Sequence, residues 1–218
     1  GDDRIEMGTG FGQVIGGLGA DTIVAGRVSA TGAALTGNER YDILGDHGSA
    51  SYDGRGLVSL LQSSGAQGGA DSIGVGDGRA IVIAGVGADT VALGDGRAAV
   101  LGDNGQARWS LGVLVELSAS DPTLGGSDTI TGGSGDKLVI GGAGNDAITT
   151  GSGRDTVLGD SGQVLVFAND TVLSQVRSTA TATGGDDTID TGAGDAVILG
   201  GAGADRVTSG NVTSGSSA

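Results

Sequence analysis

Cysteine is absent from the chain, and proline, histidine, methionine and tryptophan occur once each. Without cysteine there is no disulfide, no thiolate metal site and no cysteine nucleophile. A single histidine, His47, excludes any two-histidine metal motif. One proline against 48 glycines excludes a collagen-like helix. Aromatic residues make up 2% of the chain, so any core must be aliphatic and thin. No apolar run approaches the ~18 residues of a membrane-spanning helix. No basic-then-apolar leader opens the sequence, so any targeting signal is expected outside these residues. Basic residues are scarce as well: 11 against 26 acidic ones, for a net charge of −15, and Lys137 is the only lysine. That balance opposes partnership with nucleic acid or anionic membranes.

What is abundant is glycine, 48 of 218 residues against a usual ~7%. Aspartate accounts for 23 of the acids; only Glu6, Glu39 and Glu116 are glutamates. Glycine and aspartate both favour tight turns. An acidic, glycine-rich chain is ordinarily disordered, so order here requires a repeat. The 37% of apolar residues is enough for a core if they recur in step.

They do recur. Leu-Gly-Asp-x-Gly begins at Leu44, Leu101 and Leu158, a step of 57. Residues 43–99 and 100–156 align without a gap, residues 157–213 match after a two-residue insertion near 168–171, and residues 1–42 match the end of a unit with extra residues over 27–37. No linker divides these units, so residues 1–218 are expected to form one repeat domain, with 214–218 resembling a cloning remnant. Inside each unit the period is nine. Apolar residues fall at Ile130, Val139, Ile148 and Val157, with glycines at Gly133, Gly142 and Gly151 and again at Gly135, Gly144 and Gly153. Six residues of glycine-rich turn followed by three of strand make half a coil. Residues 18 apart then stack at the ~4.8 Å strand spacing. Helix is excluded by the same glycines, each costing ~1 kcal/mol.

Residues 141–149, GGAGNDAIT, resemble the RTX nonapeptide G-G-x-G-x-D-x-U-x, as do 150–158, 200–208 and 16–24. Segment 132–140 is degraded, with Lys137 at the aspartate position. The resemblance implies an all-β, right-handed parallel β-solenoid (β-roll). Two RTX-like coils would alternate with one larger degenerate coil per unit, about 11 coils in all and a rod of roughly 50 Å. The degenerate coil, such as 106–122, carries Tyr52, Trp109 and Val166 at its inward position in successive units. The residue count favours a continuous solenoid, with Trp109 as a core plug; the alternative is that the segment folds out as a β-hairpin.

In the RTX family the sixth-position aspartate and turn carbonyls bind Ca²⁺. The matching residues are Asp3 with Asp21, Asp71 with Asp89, Asp128 with Asp146, and Asp187 with Asp205, each pair 18 apart and so on one side of adjacent coils. Oxygen ligands at this spacing suit Ca²⁺. Without a cation, carboxylates ~5 Å apart repel by about 1 kcal/mol in water and about 3 at intermediate dielectric. The competing reading is that these aspartates only cap turns. Asp103 and Asp160, with Asp46, stand in the turn entering the degenerate coil, as further calcium ligands or as turn formers. The opposite side has Gly12, Ala80, Ala98, Lys137, Asp155 and Ala196 at the sixth position. There salt bridges, Asp136 with Arg154 and Lys137 with Asp155, are expected to replace calcium.

No HExxH, GxSxG or unit-specific cluster points to catalysis, and no enzyme is expected. The resemblance implies a calcium-stabilised spacer in a long, secreted bacterial cell-surface repeat protein or adhesin, exported through type I secretion and folding on Ca²⁺ outside the cell. Calcium ions and neighbouring repeats are the expected partners. The alternative is an adhesion or ligand-binding module that uses the degenerate coils and the 27–37 insertion.

Overall fold

The computed structural model describes residues 1–26, 39–166, 172–180 and 182–210. Among the described residues it is all-β, and no helix there is long and apolar enough to cross a membrane. Two parallel sheets and one antiparallel sheet form three layers.

The first sheet stacks eight short strands in the order β1 (Arg4–Met7), β3 (Thr22–Ala25), β7 (Ser72–Val75), β9 (Thr90–Leu93), β13 (Thr129–Thr131), β15 (Ala147–Thr149), β19 (Thr188–Asp190) and β21 (Arg206–Thr208). The second stacks seven, β2 (Phe11–Ile15), β4 (Arg40–Leu44), β8 (Arg79–Ile83), β10 (Ala98–Leu101), β14 (Lys137–Gly142), β16 (Asp155–Asp160) and β20 (Ala196–Leu199). The chain passes from one sheet to the other through six-residue glycine turns, the architecture of a parallel β-roll. Between the sheets lies a core of one aliphatic residue per strand. Ile23, Ile73, Val91, Ile130, Ile148 and Ile189 face Val14, Ile43, Val82, Val100, Val139 and Val157. Eight strands at ~4.8 Å give a stack of roughly 35 Å.

The third sheet corrects the expectation of a continuous solenoid. The degenerate segments leave the stack as hairpins: β5 (Gly48–Tyr52) with β6 (Val58–Ser63), β11 (Gly105–Ser110) with β12 (Val113–Ala119), and β17 (Gly162–Val166) with β18 (Leu173–Ser178). The expected 11 coils therefore reduce to the eight- and seven-stranded stacks, two coils per unit. The deciding signal is local. The middle hairpin turns at Leu111 and Gly112, both at positive φ (55° and 83°), the geometry of a two-residue hairpin turn. Successive hairpins pair edge to edge, Gln106 opposite Gln62 and Leu117 opposite Val164, so one six-stranded sheet results. The spacing explains why. Two coils advance the stack by about 10 Å, and two hairpin strands span the same distance, so both layers keep step through every 57-residue unit.

This sheet covers the outer face of the second parallel sheet. Leu61, Ala107, Trp109, Leu114, Leu117 and Val164 pack on Leu44, Ile83, Leu101, Ile140 and Leu158 as a second core. The central strands of sheet two are thus buried on both faces, which is why they read as unbroken apolar runs such as AAVL. Sheet one alternates as TIT or AIT, with one face in water. Trp109 is buried, but in this second core. Tyr52 is 54% exposed and Val166 half-buried, against the expectation that all three line the solenoid interior.

Candidate metal edge

Each aspartate assigned by the nonapeptide match stands just before a strand of the first sheet. The structure places all eight on one edge, and they form a single continuous row rather than four pairs. The backbone N–H of Asp3 donates to Asp21 Oδ1, Asp21 to Asp71, Asp71 to Asp89, Asp89 to Asp128, Asp128 to Asp146, Asp146 to Asp187 and Asp187 to Asp205, over 2.7–3.1 Å. The sequence separations alternate between 18 and values of 39 to 50, because the looped-out hairpins and the 27–38 segment lie between some neighbours. The row itself is continuous. That is why spacing alone found only the 18-residue pairs.

One oxygen of each inner carboxylate is thereby used. The other, Oδ2 of Asp21, Asp71, Asp89, Asp128, Asp146 and Asp187, is buried and has no hydrogen-bond partner. An orphaned buried carboxylate oxygen is costly. Turn capping accounts for Oδ1 and leaves Oδ2 unexplained. The glycine that opens the turn shows where Oδ2 points. A Cβ at Gly45 would collide with Asp71 Oδ2 and the carbonyl of Ala84; at Gly102, with Asp128 Oδ2 and the carbonyl of Gly141; at Gly159, with Asp187 Oδ2 and the carbonyl of Gly200. Carboxylate and carbonyl oxygens from two coils thus converge beside a position that only glycine can occupy.

Burial first, and the neighbouring carboxylates second, raise five of the row aspartates from an ordinary 3.8. Asp128 is pushed up to about 9, Asp146 to about 8, Asp71 and Asp89 to about 7, and Asp187 to about 6. Hydrogen bonds from the backbone N–H groups oppose the rise without cancelling it. Among the described residues no three acidic or histidine side chains converge on one point, so a cation here needs backbone carbonyls to complete its shell. That donor set, carboxylates plus carbonyls, suits a hard ion such as Ca²⁺.

Asp46, Asp103 and Asp160 stand elsewhere in the turns. Asp103 accepts N–H bonds from Gly126 on Oδ1 and Ala143 on Oδ2; Asp160 accepts from Gly185 and Ala202 in the same way. Asp46 Oδ2 accepts from Val86. Each joins the return of its own hairpin to the turn of the next coil. They occupy the place of the second turn glycine, and Gly85, Gly142 and Gly201 of the following coil leave room for them.

The opposite edge is built differently. Its row, Gly12, Tyr41, Ala80, Ala98, Lys137, Asp155 and Ala196, holds one aspartate. Tyr41 lay hidden behind the 27–37 insertion; it is buried and donates its hydroxyl to the carbonyl of Gly8 at 3.0 Å. The expected Asp136–Arg154 ion pair is present at 3.2 Å. The expected Lys137–Asp155 pair is not a side-chain salt bridge. Asp155 accepts the backbone N–H of Lys137 and the hydroxyl of Thr150, while the Lys137 ammonium turns to backbone carbonyls. Burial pulls the Lys137 pKa down, and Asp155 nearby pulls it back up.

Comparison with protein families finds RTX calcium-binding nonapeptide repeats, four copies to a match, over residues 123–157, 138–163 and 181–211. No curated protein and no solved structure matches the chain. RTX nonapeptide repeats bind calcium ions and are structural elements rather than catalytic ones, and RTX proteins are typically exported by type I secretion.

Proposed function

We propose, from a chain that carries RTX calcium-binding nonapeptide repeats, that it is a calcium-stabilised spacer of a long extracellular bacterial repeat protein, folding on Ca²⁺ after secretion. The observation that carries this reading is the unbroken aspartate row with its orphaned Oδ2 atoms. Asp3, Asp21, Asp71, Asp89, Asp128, Asp146, Asp187 and Asp205 would hold the ions together with turn carbonyls. Bound Ca²⁺ supplies the positive charge that lets closely stacked carboxylates remain ionised. The chain positions the oxygens through Oδ1–backbone bonds, and excludes side chains beside them with glycine. Asp103 and Asp160 act in this reading as turn clamps, since both their oxygens already accept N–H bonds. The test is a calcium titration of the EDTA-treated chain, followed by circular dichroism and by calcium bound per chain. A β-type spectrum that appears with calcium supports the reading; an unchanged spectrum in EDTA overturns it.

The second reading, a ligand-binding or adhesion module built on the hairpins, is favoured by one feature. Between the hairpin sheet and the outer face of sheet two runs a groove of ≈ 680 Å³. Trp109, Leu114, Val166 and Leu173 form its apolar wall; its rim sets Arg40, Arg79, Arg97 and Arg154 against Asp136, Asp155 and Asp195, with Arg97 and Arg154 both paired to Asp136. Arg40 lies over the Trp109 ring at 5.2 Å. In a chain of charge −15 this groove suits an anionic amphiphile. Trp109 is the only tryptophan, so saturable quenching by 11-bromoundecanoate, lost in Arg79→Glu with Arg97→Glu, would support it. Linear, non-saturable quenching would exclude it. The 27–37 insertion, the other part of this reading, lies outside the described residues.

A further inference from the structure

A lysine that is 2% exposed calls for a partner, because an unpaired ammonium in the interior is rarely tolerated. Lys137 opens β14 at the sixth position of the turn 132–137, where the other edge carries aspartate. Its Nζ donates to the carbonyls of Gly133 at 3.2 Å and Gly135 at 2.6 Å in its own turn, and to Gly96 at 2.9 Å in the turn of the preceding coil. All three donors of the ammonium are thus satisfied by three carbonyls from two successive glycine turns. Its stem lies against Gly132, the opening glycine of the turn, where a Cβ would meet the lysine methylenes at 2.9 Å.

On the aspartate edge the equivalent opening glycine, Gly141 or Gly159, borders the orphaned Oδ2 instead. The backbone follows the same plan on both edges: Lys137 N–H donates to Asp155 Oδ1 at 2.8 Å, as Asp128 N–H donates to Asp146 Oδ1 at 2.8 Å. One turn scaffold therefore gathers carbonyl oxygens on each edge, and the edges differ in what faces them.

We infer that Lys137 is a tethered cation: its ammonium occupies a latent divalent-cation site between the turns 93–98 and 132–137, and closes that part of the opposite edge without metal. This inference rests on the calcium reading of the aspartate edge, but its own evidence is the carbonyl cage around Nζ. The edge with little aspartate would otherwise leave these carbonyls converging with no positive charge among them. An ammonium on a four-carbon stem is always present, whatever the calcium concentration. This turn should therefore need no metal of its own in the folded chain.

The test compares calcium bound per folded chain, by equilibrium dialysis with elemental analysis, for the wild type, Lys137→Gln and Lys137→Asp. Lys137→Asp is also examined with Thr150→Gly, which releases Asp155 Oδ2 from its bond to the Thr150 hydroxyl. The expected result is one additional calcium per chain in the Asp variants and none in the Gln variant. Equal stoichiometry in wild type and folded Asp variants overturns the inference. A second measurement needs no variant. Because Lys137 is the only lysine, ¹⁵N-lysine labelling gives a single side-chain ammonium signal. A signal protected from solvent exchange in the folded chain supports the cage, and rapid exchange overturns it. A wild type that binds no calcium at all while its ammonium is protected would remove the calcium reading of the other edge and leave the tethered cation standing.

Discussion

The two edges of this roll solve one problem in opposite ways. Both are made of six-residue glycine turns that crowd oxygen atoms together. The aspartate edge adds negative charge to that crowd and leaves the buried Oδ2 atoms of six row aspartates without partners. The other edge puts small residues, Tyr41 and Lys137 in the same row and has a single aspartate, which is fully engaged. In the proposed reading one edge takes an ion from solution, and the other is closed by its own side chains. Cation supply, rather than turn geometry, is what separates them.

The largest expected effect comes from removing calcium, which acts on one edge only. A ligand at a hundredfold its Kd contributes about 2.7 kcal/mol per site. Loss of three or four sites then approaches the whole ~5–15 kcal/mol of a typical domain. Circular dichroism in EDTA should show a largely unfolded chain, and retention of the full spectrum would erase the distinction between the edges.

A narrower cut is Asp128→Asn with Asp146→Asn. Asparagine keeps the Oδ1 acceptor for the next N–H and removes the charge. In calcium, hydrogen exchange should rise by ten- to a hundredfold in residues 120–155 and stay nearly unchanged in 1–26, because each coil touches only its neighbours. A uniform rise along the chain would mean that the aspartates act as one unit.

Acidity should then move the two metal states in opposite directions. Asp71, Asp89, Asp128, Asp146 and Asp187 have folded pKa values above the 3.8 of the unfolded chain, so folding takes up protons. In EDTA this contribution is fully present below pH 3.8 and is lost as pH rises through about 6 to 9. In calcium the slope reverses, because protonation competes with the ion. The folded fraction read by circular dichroism from pH 4 to 9, with and without calcium, checks both signs; parallel curves would contradict them.

Smaller still is Asp103→Ala. It leaves the N–H groups of Gly126 and Ala143 without their acceptor and should cost about 1–3 kcal/mol. Calcium stoichiometry should not change, which distinguishes a clamp from a ligand. The smallest effect belongs to the opposite edge. Arg154→Ala removes a pair whose arginine is 65% exposed, so a loss of about 0–1 kcal/mol is expected in chemical denaturation.

Much of this was legible in the residues. The period of nine placed the turns, the inward aliphatic residues and all eight row aspartates, because glycine and aspartate at fixed steps leave few alternatives. The hairpins were not legible from counting, since the residue count of these segments favours a third coil. Their local signal was the Leu111–Gly112 turn between two alternating runs. Tyr41 was hidden by the insertion before it, and the cage around Lys137 by the fact that its partners are backbone carbonyls, which carry no sequence signature.

By itself, then, the sequence determined the repeat, the β-roll and the identity of the charged edge, since these follow from local turn preference and from residues meeting at a constant step. Only the tertiary structure decided that four aspartate pairs are one row, that the degenerate segments form a covering sheet, and that Lys137 turns from Asp155 to three carbonyls. Those outcomes depend on contacts between residues 39 to 50 apart along the row and 41 apart between Lys137 and Gly96, and on matching two strand layers that share the same ~4.8 Å spacing.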